Sequence, residues 1–192
     1  MKKYSVLLVL VISLVISQFA FAGPNFGIGG NLALPQGDWS DLASSIGFGG
    51  TAQALFPMGE NMAVGVQAGY ISFGGESVEQ GIPGFGSGKA EYTIAAIPIL
   101  AVGRYYLGVP GGPRPFVGAL VGFHLMQFKY SASYTFLGVT QSQDFTDNST
   151  KFGLAPTVGI EIGAIEISAL YMLVSDFNYI GARIGFNFGA TE

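Results

Sequence analysis

Met62-Ala63-Val64-Gly65-Val66-Gln67-Ala68-Gly69-Tyr70 alternates without a break. In an extended strand successive side chains point to opposite sides, so Met62, Val64, Val66, Ala68 and Tyr70 share one face. Ala63, Gly65, Gln67 and Gly69 share the other. A large apolar face backed by small and polar residues is what a strand needs with lipid outside it and a narrow lumen inside. The end of the chain repeats the pattern, with Ala182, Ile184, Phe186 and Phe188 outward and Gly181, Arg183, Gly185 and Asn187 inward. Ile165 to Leu173 repeats it again, with Glu166 and Ser168 inward.

Working outward from these three segments, strands are expected at 25–34, 46–56, 62–72, 91–106, 115–130, 151–162, 165–174 and 179–188. Eight is an even number, as a closed antiparallel membrane barrel requires. The connections alternate in length. Residues 35–45, 73–90 and 131–150 are long, whereas 57–61, 107–114 and 163–164 are short; 175–178 is a short exception. With both chain ends in the periplasm, the long connections fall outside the cell. Pro57 to Asn61 and Gly108 to Pro113 carry turn residues, and Gly163-Ala164 suits a two-residue hairpin. Pro98 and Pro156 sit within strands, where each removes a ladder hydrogen bond, so a bulge or a widened pair is expected there. The alternation also implies that Gly65→Arg, pointing inward, is tolerated better than Val66→Arg, pointing into lipid.

Composition agrees with this reading. Of 192 residues only 10% are charged, 49% are hydrophobic and 30 are glycine, too few charges to coat a soluble domain. After residue 22 no apolar run reaches the ~18 residues of a membrane helix. Lys2 and Lys3, the apolar run Val6 to Ile16, and Ala20-Phe21-Ala22 form the three parts of a secretory signal peptide. Residues 1–22 are therefore expected to be removed, leaving 23–192 as one barrel domain. Without the leader, six scattered basic residues face twelve acids, which offers no nucleic-acid surface. The chain has no cysteine, so disulfides and thiolate metal sites are excluded.

Leu34-Pro35-Gln36-Gly37-Asp38-Trp39-Ser40-Asp41 resembles a segment of the OmpA-like outer-membrane barrel superfamily. So does the run from Ile97-Pro98-Ile99-Leu100 through Arg104-Tyr105-Tyr106 to Arg114-Pro115-Phe116-Val117-Gly118-Ala119. The resemblance, which extends to OmpX- and OmpW-like members, implies an eight-stranded antiparallel up-and-down transmembrane barrel in a diderm outer membrane. It implies lipid, lipopolysaccharide and the barrel insertion machinery as partners of a monomer. The family often ends on phenylalanine, whereas this chain continues from Phe188 to Glu192.

Chemistry-bearing residues are few. His124 is the only histidine, faces the lumen, and is followed by Leu125-Met126 with no serine beside it. Some barrels of similar fold edit lipopolysaccharide with a histidine, a serine and an acid, but a base without an orienting partner has little chemical warrant. One histidine without cysteine offers no metal centre. No catalytic, cofactor or metal residues are therefore assigned. Asp38, Asp41, Glu76, Glu79, Asp144, Asp147 and Asp176 are expected on solvated loops. The informative group is Arg104, Glu161, Glu166 and Arg183, all inward by parity and expected to pair, because an unpaired buried charge is the costly outcome. They fill the lumen as structural polar residues or close a small pore. The functional expectation is a structural or surface-interaction barrel that binds external ligands through 35–45, 73–90 and 131–150. A narrow solute channel partly lined by Leu100, Val102, Leu120, Met126, Leu170 and Met172 is the alternative, and a lipid-modifying enzyme the third reading.

Overall fold

A computed structural model describes residues 23–37, 46–74, 77–82, 86–108, 111–136, 139–175 and 177–189. The expected signal peptide and most of the 35–45 connection lie outside these residues. Among the described residues nine strands follow one another: β1 (Asn25–Gln36), β2 (Gly47–Met58), β3 (Met62–Phe73), β4 (Ser77–Ile82), β5 (Gly86–Tyr106), β6 (Arg114–Phe136), β7 (Val139–Ile162), β8 (Ile165–Val174) and β9 (Phe177–Phe188). Every pairing is antiparallel, and β3 pairs with β5 while β1 pairs with β9. Eight strands thus close into a ring, and short β4 hangs on the far end of β5. Closure satisfies the edges that an open sheet would leave bare.

The alternation sets the faces. In β9 burial alternates at every residue, with Tyr179, Gly181, Arg183, Gly185 and Asn187 inside. In β3, Ala63, Gln67, Ile71 and Phe73 are buried while Met62, Val66 and Tyr70 are exposed. The short turns gather at one end with both chain ends, here called the turn end. Gly59, Gly111 and Gly163 adopt φ of 71°, 86° and 59° there, a region that favours glycine. The opposite end is the hairpin end.

Two of the expected long loops are not loops. Residues 73–90 hold the β4–β5 hairpin, with Ser77 opposite Glu91 and Ile82 opposite Gly86. Residues 131–150 continue β6 and β7 in register out to Phe136 opposite Val139. The strands expected at 91–106, 115–130 and 151–162 therefore run 5 to 12 residues longer. The reason lies in the side chains. Ser, Thr, Gln, Asn and Asp occupy both faces of the β7 extension, so no apolar period announces the strand, yet backbone pairing continues without one.

Both prolines leave a visible trace. The β3–β5 ladder holds Ala68 opposite Ile99 and resumes at Ile71 opposite Ala96, skipping the two pairs around Pro98. The β7–β8 ladder likewise skips from Leu154–Leu173 to Thr157–Leu170 across Pro156. The register is unchanged on either side, so each proline widens a pair and inserts no bulge.

Side chains fill the ring. From the turn end inward, a polar layer built on Arg104 and Glu166 is followed by an apolar layer of Leu100, Leu120, Ile71 and Met172. An aromatic layer of Phe73, Phe177 and Tyr179 lies toward the hairpin end. Phe73 meets Phe177 edge-on with ring centroids 5.0 Å apart. The residues expected to line a channel, Leu100, Val102, Leu120, Met126 and Met172, are at most 4% exposed, and Leu170 packs against them.

Candidate functional site

Four strands bring the charged group together. Arg104 projects from the turn-end part of β5, Glu161 and Glu166 flank the Gly163-Ala164 turn, and Arg183 lies midway along β9. Register explains the meeting: Glu161 is opposite Glu166, Glu166 opposite Gly185, and Ser168 opposite Arg183. Inward side chains from neighbouring and next-neighbouring strands then converge on the axis of a narrow barrel.

Glu166 is the hub and is fully buried. Arg104 grips it with both terminal nitrogens, Nη1 to Oε2 at 2.9 Å and Nη2 to Oε1 at 3.0 Å. This bidentate geometry is the strongest an ion pair of this type can adopt. Arg183 Nη1 lies 2.7 Å from Glu166 Oε1 as an ion pair without hydrogen-bond alignment, while its Nε donates to Thr51 Oγ1 at 3.0 Å. Gln53 Nε2 and Ser168 Oγ also donate to Glu166, at 2.8 and 3.2 Å. Glu161 is held differently. Its Oε1 accepts from Arg104 Nη1 at 3.1 Å, Tyr106 OH at 2.9 Å and Asn187 Nδ2 at 3.3 Å. Phe116 lies under the Arg104 guanidinium, 4.5 Å from ring centroid to Cζ.

The network is larger than the four charges. Gln53 accepts from Arg104 Nη2 at 2.9 Å and donates to Asn187 at 3.0 Å, so it ties β2, β5 and β9 together. Gln53, Thr51 and Tyr106 were not singled out from the sequence, although parity with buried Leu55 puts Thr51 and Gln53 on the inner face of β2. Glycines open the space these side chains occupy. A Cβ on Gly27 would collide with Asn187 Oδ1 and stand 2.9 Å from Gln53 Nε2. A Cβ on Gly29 would stand 2.9 Å from Arg183 Cζ. Gly65 serves a different purpose, because a Cβ there would run into the carbonyl of Ala54 on the adjacent strand. Gly65→Arg, expected to point inward despite crowding, would meet the backbone of β2 at its Cβ.

Beneath the network, at the turn end, lies a vestibule of about 780 Å³. Leu55, Ala63, Tyr106, Glu161 and Asn187 line it, with Asn25, Glu60 and Arg114. Arg114 is held by the turn: Nη2 donates to the Glu60 carbonyl at 2.8 Å, and the guanidinium sits 4.1 Å from the centre of the Tyr106 ring.

His124 is elsewhere. It is fully buried in the aromatic layer, with Nε2 3.4 Å from Tyr179 OH. Its Nδ1 has no hydrogen-bond partner among the described residues. Asp144 and Asp147 are exposed on the β7 extension, and no group of three or more His, Asp or Glu that could hold a metal occurs among the described residues.

No family model and no curated protein matches the sequence. Among solved structures the chain is similar to Ail, the attachment invasion locus protein of Yersinia pestis, at 14% identity and a TM-score of 0.41, over 87% of this chain and 99% of that one. A structure of Ail with the heparin analogue sucrose octasulfate aligns at 11% identity and a TM-score of 0.46, with the same coverage. Neisserial surface protein A (NspA) aligns at 14% identity and a TM-score of 0.43, over 86% of this chain and 97% of that one.

Proposed function

We propose that this chain is a non-catalytic outer-membrane barrel with a structural and surface-interaction role. The observation that carries this reading is the outer wall. Along β6 every outward position from Pro115 to Leu125 is uncharged and nearly all are apolar, and the polar residues Gln127 and Lys129 follow at once. Ten steps at ~3.4 Å, tilted by ~40°, span ~26 Å, which matches the ~25 Å apolar band of membrane barrels. A soluble barrel would expose charge on this face. Lipid and lipopolysaccharide are then its surroundings and the insertion machinery its assembly partner. The hairpin end faces outward to external ligands, and both termini lie in the periplasm. His124, sealed behind Tyr179, takes no part in catalysis. Membrane fractions should contain the protein, and unboiled samples should migrate differently from boiled ones on a denaturing gel. Recovery from the soluble periplasm with unchanged mobility would refute the proposal.

A second reading, a narrow channel, is favoured by the vestibule that rises from the turn end to the charged layer. In that case Arg104 and Glu166 act as a gate. Arg104→Ala should raise single-channel conductance in planar bilayers; silent bilayers for a folded variant would leave only the structural role.

A further inference from the structure

From the turn-end vestibule we infer a binding site for an alkylammonium group. Two carboxylates share two guanidiniums unequally in the layer above it. Glu166 takes both ends of Arg104 and the ion pair from Arg183. Glu161 receives a single contact from Arg104, and all its donors converge on Oε1. No donor reaches Oε2 among the described residues, and Glu161 lines the cavity. One acceptor is stranded in the same wall: Asn25 Oδ1 is buried without a hydrogen-bond partner among the described residues. A buried acceptor without a donor is costly; a guest that brings N–H groups removes that cost at Asn25 and pairs with the cavity-facing carboxylate of Glu161.

The remaining walls define the rest of the guest. Leu55, Ala63 and the ring of Tyr106 offer apolar surface beside the carboxylate. Apolar walls with a few convergent polar groups, in a volume of about 780 Å³, suit a small organic molecule better than a bare ion. A strongly hydrated divalent cation asks for several oxygen ligands, whereas a primary ammonium on a short alkyl chain needs one carboxylate, one carbonyl and a greasy wall. Arg114 lines the same cavity, but its guanidinium is held by the Glu60 carbonyl and the face of Tyr106. Two sources share this chemistry, a free polyamine and a lysine side chain of a neighbouring protein.

The test uses the whole folded barrel in detergent micelles and follows its backbone amide signals. Titration with 1,4-diaminobutane should shift Ala164, Asn187 and Gly189 and saturate. Glu161→Gln, which keeps the shape and removes the charge, should weaken binding by roughly 10-fold or more, as expected for one charged hydrogen bond. Should that variant fail to fold, Ala63→Leu, which narrows the vestibule without touching a charge, should weaken binding instead. A capped lysine-containing peptide separates the sources: shifts with the diamine alone indicate a free polyamine, and shifts with both indicate a protein side chain. Absence of shifts, equal shifts with magnesium chloride or 1,4-butanediol, or unchanged affinity in both variants would overturn the assignment. None of these measurements depends on where the barrel resides in the cell.

Discussion

Gly185 lies against the guanidinium of Arg183, two positions earlier on the same inward row of β9; a Cβ built on Gly185 would stand 2.7 Å from Arg183 Cζ. Gly29 leaves room on the β1 side, so the cation fits only where two side chains are missing. Gly185→Ala should push Arg183 away from Glu166 and destabilise the barrel by ~1–3 kcal/mol, the usual cost of overpacking. Gly30→Ala, whose added methyl meets open space, should stay near the parent. Urea titrations in lipid vesicles compare them, and equal midpoints for the two variants would refute the steric argument.

Removing Arg104 strips Glu161 of the guanidinium that is hydrogen-bonded to it and Glu166 of its bidentate one. Arg104→Leu should therefore cost on the order of 3 kcal/mol, because charge is left buried without compensation. Arg104→Leu combined with Glu161→Leu should cost less than the two single changes added together, since the pair Arg183–Glu166 survives. Strict additivity in a double-mutant cycle would show that the contact at 3.1 Å contributes nothing.

Gly65 and Val66 are adjacent and fail for different reasons. Val66→Arg puts a guanidinium against acyl chains and should cost ~2–4 kcal/mol near the midplane. Gly65→Ala adds no charge but meets the backbone of β2, so it too should lower folding yield, while Val66→Ala should fold. Normal folding of Gly65→Ala in vesicles would show that β2 can shift away from β3.

Pro156 faces outward and interrupts the β7–β8 ladder without changing its register. Pro156→Ala restores an N–H at the gap, which the carbonyls of β8 can accept. The new amide should be protected in hydrogen exchange, and stability should rise by ~0.5–1 kcal/mol, the net worth of one hydrogen bond. Rapid exchange at residue 156 would mean that the gap persists for a reason other than the proline.

Alternation made the wall of the barrel legible. Met62 to Tyr70, Ile165 to Leu173 and Gly181 to Phe188 each assign their faces from the residues alone, since lipid demands apolar side chains at every second place. The same logic failed wherever lipid was no longer the neighbour. In Gln141 to Thr150 both faces are polar, no period survives, and a paired strand looks like a loop. Inside the lumen, parity placed Arg104, Glu161, Glu166 and Arg183 correctly on the inner face. It could not say that Gln53 and Asn187 bridge them, because amides on an inner face have no distinguishing sign until heights along the axis are known. At Gly65 the sequence implied crowding without its source, which is a carbonyl of the neighbouring strand.

The three longest strands, β5, β6 and β7, are consecutive in the ring, and β1, opposite β6, is only 12 residues long. Among the described residues the rim at the hairpin end is tallest on the side of β5 to β7, which forms a parapet. From Val139 to Phe152 the parapet runs roughly 45 Å along the strand, at ~3.4 Å per residue, before β8 joins it at Gly153. Anything arriving along the barrel axis meets this screen on the flank of β5 to β7. Rotating the molecule in the plane of the membrane turns that screen toward a different neighbour, so what the barrel can touch depends on its heading as well as its position.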